Sequence, residues 1–203
     1  MKTPEVVVFD LGKVLVDFDY GIAAGKFAAN GTNTAETIRT FIDHSPLLYR
    51  FETGLMTKEA FYTEICAGTG YGGTHDEFCT IFADIFSPIP AMIDLQATLR
   101  TLGIPTYIFS NTNELAVRWI KERFPFFANF TGYVYSYEQG AMKPHEKIYE
   151  VVEKMTGKAG KQIVYLDDRA ENVAAGAARG WHAILHQHPE ESRQKLQALG
   201  LLG

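Results

Sequence analysis

Short runs of apolar residues rich in β-branched and aromatic side chains recur along the chain, at Val6 to Phe9, Ile104 to Phe109, Tyr133 to Tyr135, Ile163 to Leu166 and Trp181 to Leu185. Each reads as a strand. Between the later runs the apolar positions switch to helical spacing: Met92, Leu95, Leu99 and Leu102; then Leu115, Trp119 and Ile120; then Ile148, Val151, Val152 and Met155; and an Ala-rich stretch around Val173 and Ala177. Strands alternating with helices of this length predict an α/β fold, a Rossmann-like, doubly wound sheet whose strands are mostly parallel.

The stretch from Asp17 to Phe86 breaks the alternation. It carries no convincing strand and several amphipathic helical patterns, the clearest being Phe78, Ile81, Phe82 and Ile85. It reads as a helical insertion between the first and second strands. In an open α/β sheet such an insertion sits over the carboxyl ends of the strands, where ligands bind. The expected organisation is therefore a catalytic core of residues 1–16 and 87–203 with a helical cap of residues 17–86. Pro189 to Leu199 reads as a peripheral helix, and no internal repeat or low-complexity segment interrupts the pattern.

Composition narrows the partners. The chain has 203 residues, 46% of them hydrophobic and 21% charged, a balance that supports a sizeable buried core. Its formal net charge is -5 and its basic residues are scattered, so no extended footprint for nucleic acid exists. A small phosphorylated substrate remains compatible, because a ring of amides, one Lys and one metal ion reverse the field locally. The apolar run in MKTPEVVVFD is too short for a signal peptide, and no stretch approaches about 18 apolar residues. The expectation is a cytoplasmic enzyme without a membrane partner, monomeric or homodimeric. Cys66 and Cys79 fall in the insertion, form no CxxC pair and read as reduced structural thiols. GTGYGG (68–73) fits a dinucleotide-loop pattern but follows a helical stretch rather than a strand. His186 and His188 read as an exposed turn, and Phe124 to Phe127 as core packing under a loop.

The informative feature is positional. Polar residues follow immediately on the apolar runs of the first, second and fourth strands: Asp10, Ser110, and the pair Asp167 and Asp168. Lys143 precedes Pro144, which is well placed as the first residue of the Ile148 helix. In a parallel sheet all of these converge on one rim. A carboxylate such as Asp10 acts as a nucleophile on phosphorus when a cation suppresses its repulsion by the phosphate; it also serves simply as a turn cap. Adjacent acids at 167 and 168 require a divalent ion or protons beside Asp10, and oxygen-only ligands point to magnesium. Asn172, a helical turn beyond Asp168, is placed to orient the acids or to sit unremarkably in a first helical turn. Ser110 lacks the GxSxG elbow of hydrolase serines, which leaves phosphate binding or helix capping. Lys143 offers one positive charge to a transferring phosphoryl group.

In this order, FDLGKVLVD, FSNTN, KPHEKIY and DDRAEN resemble the four motifs of the haloacid dehalogenase superfamily, most of whose members are phosphatases. The nearest wording is that of the subfamily including bacterial α-D-glucose-1-phosphate phosphatase. The match runs from Val6 to Asn172; together the motifs are specific, though each alone is weak. The resemblance implies that Asp10 is nucleophile and metal ligand, and that Gly12 contributes a backbone carbonyl to Mg2+. It implies that Ser110 and Lys143 hold the phosphoryl oxygens, with Asn111 a further contact. Asp168 is implied as the direct acidic ligand, while Asp167 either binds the metal or supports its waters. A helical cap would close over the substrate.

One departure from the family matters. Most of its phosphatases carry a second Asp two residues after the nucleophile as general acid and base, and Gly12 stands there instead. General acid catalysis is worth about 100-fold to 10,000-fold. Its loss favours leaving groups that need little protonation, such as the anomeric oxygen of a sugar 1-phosphate, unless Lys13, Asp17 or a cap residue supplies the proton. Two rivals stand beside a magnesium-dependent phosphatase. A metal-independent dehalogenase has no use for the paired acids, and a phosphate-binding protein that has lost catalysis has no reason to retain Asp10, Lys143 and both acids.

Overall fold

The computed structural model describes residues 4–43 and 45–203. The chain enters through β1 (Val6–Phe9), passes a short strand β2 (Val16–Phe18) and runs through α1 (Tyr20–Ala29), α2 (Ala35–Ile42), α3 (Pro46–Glu52), α4 (Lys58–Thr69) and α5 (His75–Ala83). It returns through β3 (Phe86–Pro88), which pairs antiparallel with β2. Helix and strand then alternate: α6 (Pro90–Thr101), β4 (Thr106–Ser110), α7 (Glu114–Arg123), β5 (Gly132–Tyr135), a short α8 (Ser136–Gln139), α9 (Glu146–Thr156), β6 (Ile163–Asp167), α10 (Ala170–Ala178), β7 (His182–Leu185) and α11 (Pro189–Ala198).

The main sheet has five parallel strands in the order β5-β4-β1-β6-β7. Central β1 is hydrogen-bonded on both edges. Its side chains alternate between two buried clusters, Val7 and Phe9 on one face and Val6 and Val8 on the other. Helices cover both faces, so the strand has no polar position until it ends at Asp10. The chain builds outward from β1 to β5 on one side, then crosses to β6 and β7 on the other. The crevice between the carboxyl ends of β1 and β6 is therefore the switch point at which such sheets bind ligands.

The helices α1 to α5 form a hydrophobic cluster of their own. Its centre is aromatic: Phe51 stacks on Phe61 at 4.4 Å between ring centroids, Phe61 meets Phe82 edge-on at 5.0 Å, and Phe27 stacks on Phe78 at 5.3 Å. Local signals start these helices. Ser45 caps α3 with Pro46 in its first turn, Thr57 caps α4, and Thr74 with Glu77 forms a capping box on α5. Leu115 of α7 joins the same cluster, which ties these helices to the sheet body.

Three local expectations are corrected, the first being that Asp17 to Phe86 carries no strand: both of its ends are strand, paired as β2 and β3. The helix after Lys143 begins at Glu146 with His145 as its N-cap, not at Pro144. The backbone of Lys143 is held by the Asn111 side chain, its N–H donating to Oδ1 at 2.7 Å and its carbonyl accepting from Nδ2 at 3.0 Å. This clamp keeps the segment out of the helix, and the residue before a proline already disfavours helical backbone. His186 is buried rather than exposed, because α11 folds back and brings Ser192 Oγ to 2.8 Å from its ring nitrogen. Phe126 and Phe127 are buried in the core, and Cys66 and Cys79 are free thiols. Among the described residues no helix is long and apolar enough to cross a membrane.

Phe61 is fully buried at the aromatic centre of α1 to α5. Phe61→Ala is expected to destabilise the chain by about 3–5 kcal/mol through lost transfer energy and a residual cavity. Urea unfolding followed by tyrosine and tryptophan fluorescence measures it.

Candidate active site

The ends of β1, β4 and β6 and the loop before α9 enclose one buried cluster. Asp10 follows β1; its Oδ1 accepts from the backbone N–H of Leu11 at 2.7 Å and lies 2.9 Å from Lys143 Nζ. Lys143 is buried, and its ammonium also donates to Asp167 Oδ2 at 2.6 Å and to the Phe109 carbonyl at 2.9 Å. All three of its N–H bonds are thus used, two on carboxylates. Asp167, fully buried at the end of β6, additionally accepts from the Tyr165 hydroxyl, the Arg169 backbone N–H at 2.9 Å and the Asn172 side-chain amide at 3.0 and 3.2 Å. Oxygens of Asp10, Asp167 and Asp168 lie within 4.8 Å of one another.

The other sequence-predicted residues stand around this cluster. Asp10, Gly12, Asn111, Lys143, Asp168 and Asn172 line one cavity of about 510 Å³. Ser110 is buried at the end of β4 and borders the adjoining pocket. The side-chain amide of Asn111 is committed to the Lys143 backbone, so it positions the lysine. Asp167 is saturated by protein donors, whereas Asp168 is only partly buried and faces the cavity wall.

Residues 4–180 match the model of the haloacid dehalogenase-like hydrolases. The chain belongs to that family. It is 23% identical over 203 residues to D-ribitol-5-phosphate phosphatase of Bacteroides thetaiotaomicron, covering 95% of this chain and 97% of that protein. A sesquiterpene phosphatase of Aspergillus oryzae is 24% identical over 181 residues, 88% of this chain and 87% of the relative. A haloacid dehalogenase-family enzyme of Bacteroides thetaiotaomicron, solved in complex with magnesium and inorganic phosphate, superimposes with a TM-score of 0.80 at 21% identity, covering 91% and 94% of the two chains. That likeness establishes the shared α/β fold.

The electrostatics of this hydrolase show a deficit of positive charge. Burial raises the Asp10 carboxyl well above the usual carboxylate range, and the charges of Asp167 and Asp168 reinforce the rise against the pull of Lys143. Burial alone would lower the Lys143 ammonium, but the carboxylates of Asp10 and Asp167 overturn that and hold it protonated. Burial would likewise raise Asp167; Lys143 and the neighbouring donors outweigh it and keep this acid ionised. Asp168 is raised by burial and by Asp167. One ammonium therefore neutralises Asp167, and Asp10 is left needing a proton or a second cation.

A hard divalent ion fits this need. The donors are all oxygen, three of them carboxylates. Asn172 Oδ1 is buried in the same wall and accepts no hydrogen bond from the described residues, an acceptor suited to a bound ion's water. At Gly12, which lines the cavity, an added Cβ would stand 2.8 Å from the Phe18 ring and would have to displace it.

The opposite wall comes from the helical insertion, and here lie residues that sequence reasoning missed. Arg39 and Asp43 of the α2 end, Tyr20 of α1 and Glu52 of α3 all line the cavity, with Arg169 from the core beside them. No local pattern distinguishes such residues from a solvated helix face. Burial pushes the Glu52 carboxyl up to about 8, despite hydrogen bonds from Asn113 and Tyr20.

Two outcomes follow. Lys143→Met strands two buried carboxylates and is expected to cost about 3–5 kcal/mol, read by thermal or urea unfolding without metal. Asp10 and Glu52 have folded values above their unfolded ones, so their stabilisation is present in acid and is lost as pH rises through the folded values. The melting temperature of the metal-free protein should therefore fall from about pH 5 to about pH 8 and level off above it, and the shift produced by added magnesium should grow over that interval.

Proposed function

We propose that this hydrolase is a magnesium-dependent phosphatase acting on a small, hydroxyl-rich phosphate ester through an aspartyl-phosphate intermediate. The observation that carries the reading is the cluster itself: Asp10 held 2.9 Å from a buried lysine, with two further carboxylates within 4.8 Å, at the base of a 510 Å³ cavity. The relatives are named for phosphatase activity on a polyol phosphate and on a sesquiterpene phosphate, which supports phosphate-ester chemistry.

In this reading a carboxylate oxygen of Asp10 attacks phosphorus, and the bond to the leaving oxygen breaks. Asp10 loses charge as the acyl phosphate forms, which frees the Lys143 N–H now aimed at Oδ1 to bond a phosphoryl oxygen. Ser110 contributes a hydroxyl at the end of β4, and Asn111 keeps Lys143 in register through its backbone. Asp10, the Gly12 carbonyl and Asp168 would hold magnesium, and bound there it lowers the repulsion between carboxylate and phosphate. Asp167 supports the lysine, and Asn172 orients Asp167. Residues 17–86 act as the cap; Arg39, Asp43 and Glu52 meet the leaving group, and their polarity suits an alcohol rich in hydroxyls, a sugar phosphate included.

Phosphate release from para-nitrophenyl phosphate and a panel of sugar and polyol phosphates, with and without magnesium, tests the reading. Activity is expected only with the metal, and Asp10→Asn is expected to abolish it while the protein stays folded. Halide release from a haloacid without magnesium, or phosphate release undiminished in Asp10→Asn, would overturn it.

A further inference from the structure

We infer that Glu52, delivered by the helical insertion, is the proton donor to the leaving group, in place of the acid absent at position 12. The inference rests on the phosphatase reading above and adds the residue that completes its acid chemistry.

Position 12 carries no acid, and the Phe18 ring occupies the space that a side chain there would enter. The Phe18 ring stands 2.8 Å from where its Cβ would be, and Lys13 lies over that ring, 4.7 Å from its centroid. The proton must come from elsewhere on the cavity wall. Among the described residues there, Arg39 and Arg169 do not release protons near neutral pH. Asp10, Lys143 and Asp168 belong to the phosphoryl and metal side. Lys13 is exposed and bonded to Asp17 and to the Phe18 carbonyl. Asp19 caps α1 through Gly21 N–H at 2.7 Å, and Asp43 lies 3.8 Å from Arg39. Burial pushes the Tyr20 hydroxyl well above 10, too weak an acid for the task. Glu52 remains.

Its placement is built rather than incidental. Glu52 borders the main cavity and the two pockets that adjoin it. Its carbonyl accepts from Ser136 Oγ at 2.5 Å, and that hydroxyl also accepts from the Thr112 backbone N–H at 2.9 Å, next to Asn111. Two residues on, Gly54 at φ +73° brings the backbone so close to Tyr137 that an added Cβ would stand 2.1 Å from the Tyr137 carbonyl oxygen. The end of α3 is thereby pinned to the core side of the site. The groups facing the carboxyl are Asn113 of the core, Tyr20 of α1, Asp43 of α2 and Arg169 before α10. Asn113 Oδ1 accepts from Ala116 N–H at 3.0 Å, and its amide N–H donates to the Glu52 carboxyl. Arg169 has no acceptor atom and cannot take the acidic proton. Burial holds the acid neutral on the wall of the cavity that Asp10 also lines, the condition a general acid requires.

As Asp10 attacks phosphorus and the ester bond breaks, the Glu52 proton passes to the departing oxygen, leaving a carboxylate. Water then attacks the phosphorus of the acyl phosphate and gives a proton to Glu52, the Asp10–phosphorus link breaks, and inorganic phosphate departs with Asp10 and Glu52 restored.

The test compares Glu52→Gln with the wild-type enzyme on two leaving groups: para-nitrophenolate, which departs unprotonated, and the alkyl phosphate of the sugar and polyol panel that the wild type turns over fastest. Glu52→Gln is expected to lose on the order of 100-fold to 10,000-fold in kcat/KM on the alkyl ester. On para-nitrophenyl phosphate it should change by only a few-fold, and it should lose the fall in alkyl-ester turnover that the wild type shows above about pH 8. Glucose 1-phosphate, with its better leaving oxygen, should suffer less than glucose 6-phosphate. Glu52→Asp, which keeps the acid but withdraws it by a methylene, should show the same selectivity in weaker form. Equal losses on both ester types in both variants, no loss on the alkyl ester, or a wild type that hydrolyses para-nitrophenyl phosphate but no alkyl phosphate overturns the inference while leaving the phosphatase reading intact. A wild type that releases no phosphate from any ester overturns both.

Discussion

A buried lysine lies between two buried aspartates, and most of the core is arranged to make that tolerable. Taking such ions out of water costs several kcal/mol each, recovered only where geometry and hydrogen bonding are complete. Here Lys143 has all three N–H bonds met, and Asp167 collects donors from Tyr165, Arg169 and Asn172 as well. What stays unbalanced is Asp10, whose carboxyl burial holds protonated because the protein alone supplies no second cation for its charged form. Asp10 thus sits where an added cation changes its state most.

The insertion is organised on a different principle. Its helices bury stacked and edge-on phenylalanines against one another, a cluster whose centre lies away from the catalytic rim. That self-sufficiency lets the wall facing the leaving group differ without disturbing the charged cluster below it. The two bodies are joined by the β2–β3 ribbon, by Leu115, and by the contacts of Glu52 and Gly54 with Ser136 and Tyr137. Those last contacts set where the end of α3 stands relative to the carboxylate cluster.

Much of this was legible in the chain. The apolar runs marked the five core strands because a sheet covered on both faces tolerates no polar position, and the first polar residue after each run therefore lies at the rim. Asp10 and Asp168 were found this way; Ser110 and Asp167 turned out to be the last residues of their strands. Errors occurred where distant residues overrule local signals: Asn111 clamps the backbone of Lys143 and delays a helix, and Ser192 folds over His186. Tyr165 and Glu52 carried no mark at all, since a tyrosine in a strand and a glutamate in a helix are ordinary.

By itself the sequence determined the alternation of strands and helices, the presence of an insertion and the identity of the acids and lysine brought to one edge. Those properties follow from periodicity and from the direction of parallel strands, which act over a few residues or are imposed by topology. Only the tertiary structure decided which carboxylate the lysine neutralises, which acid is saturated and which left open, and which side chains of α1 to α3 line the cavity. These depend on desolvation and on hydrogen bonds between residues far apart in the chain, and such quantities exist only once the elements have packed.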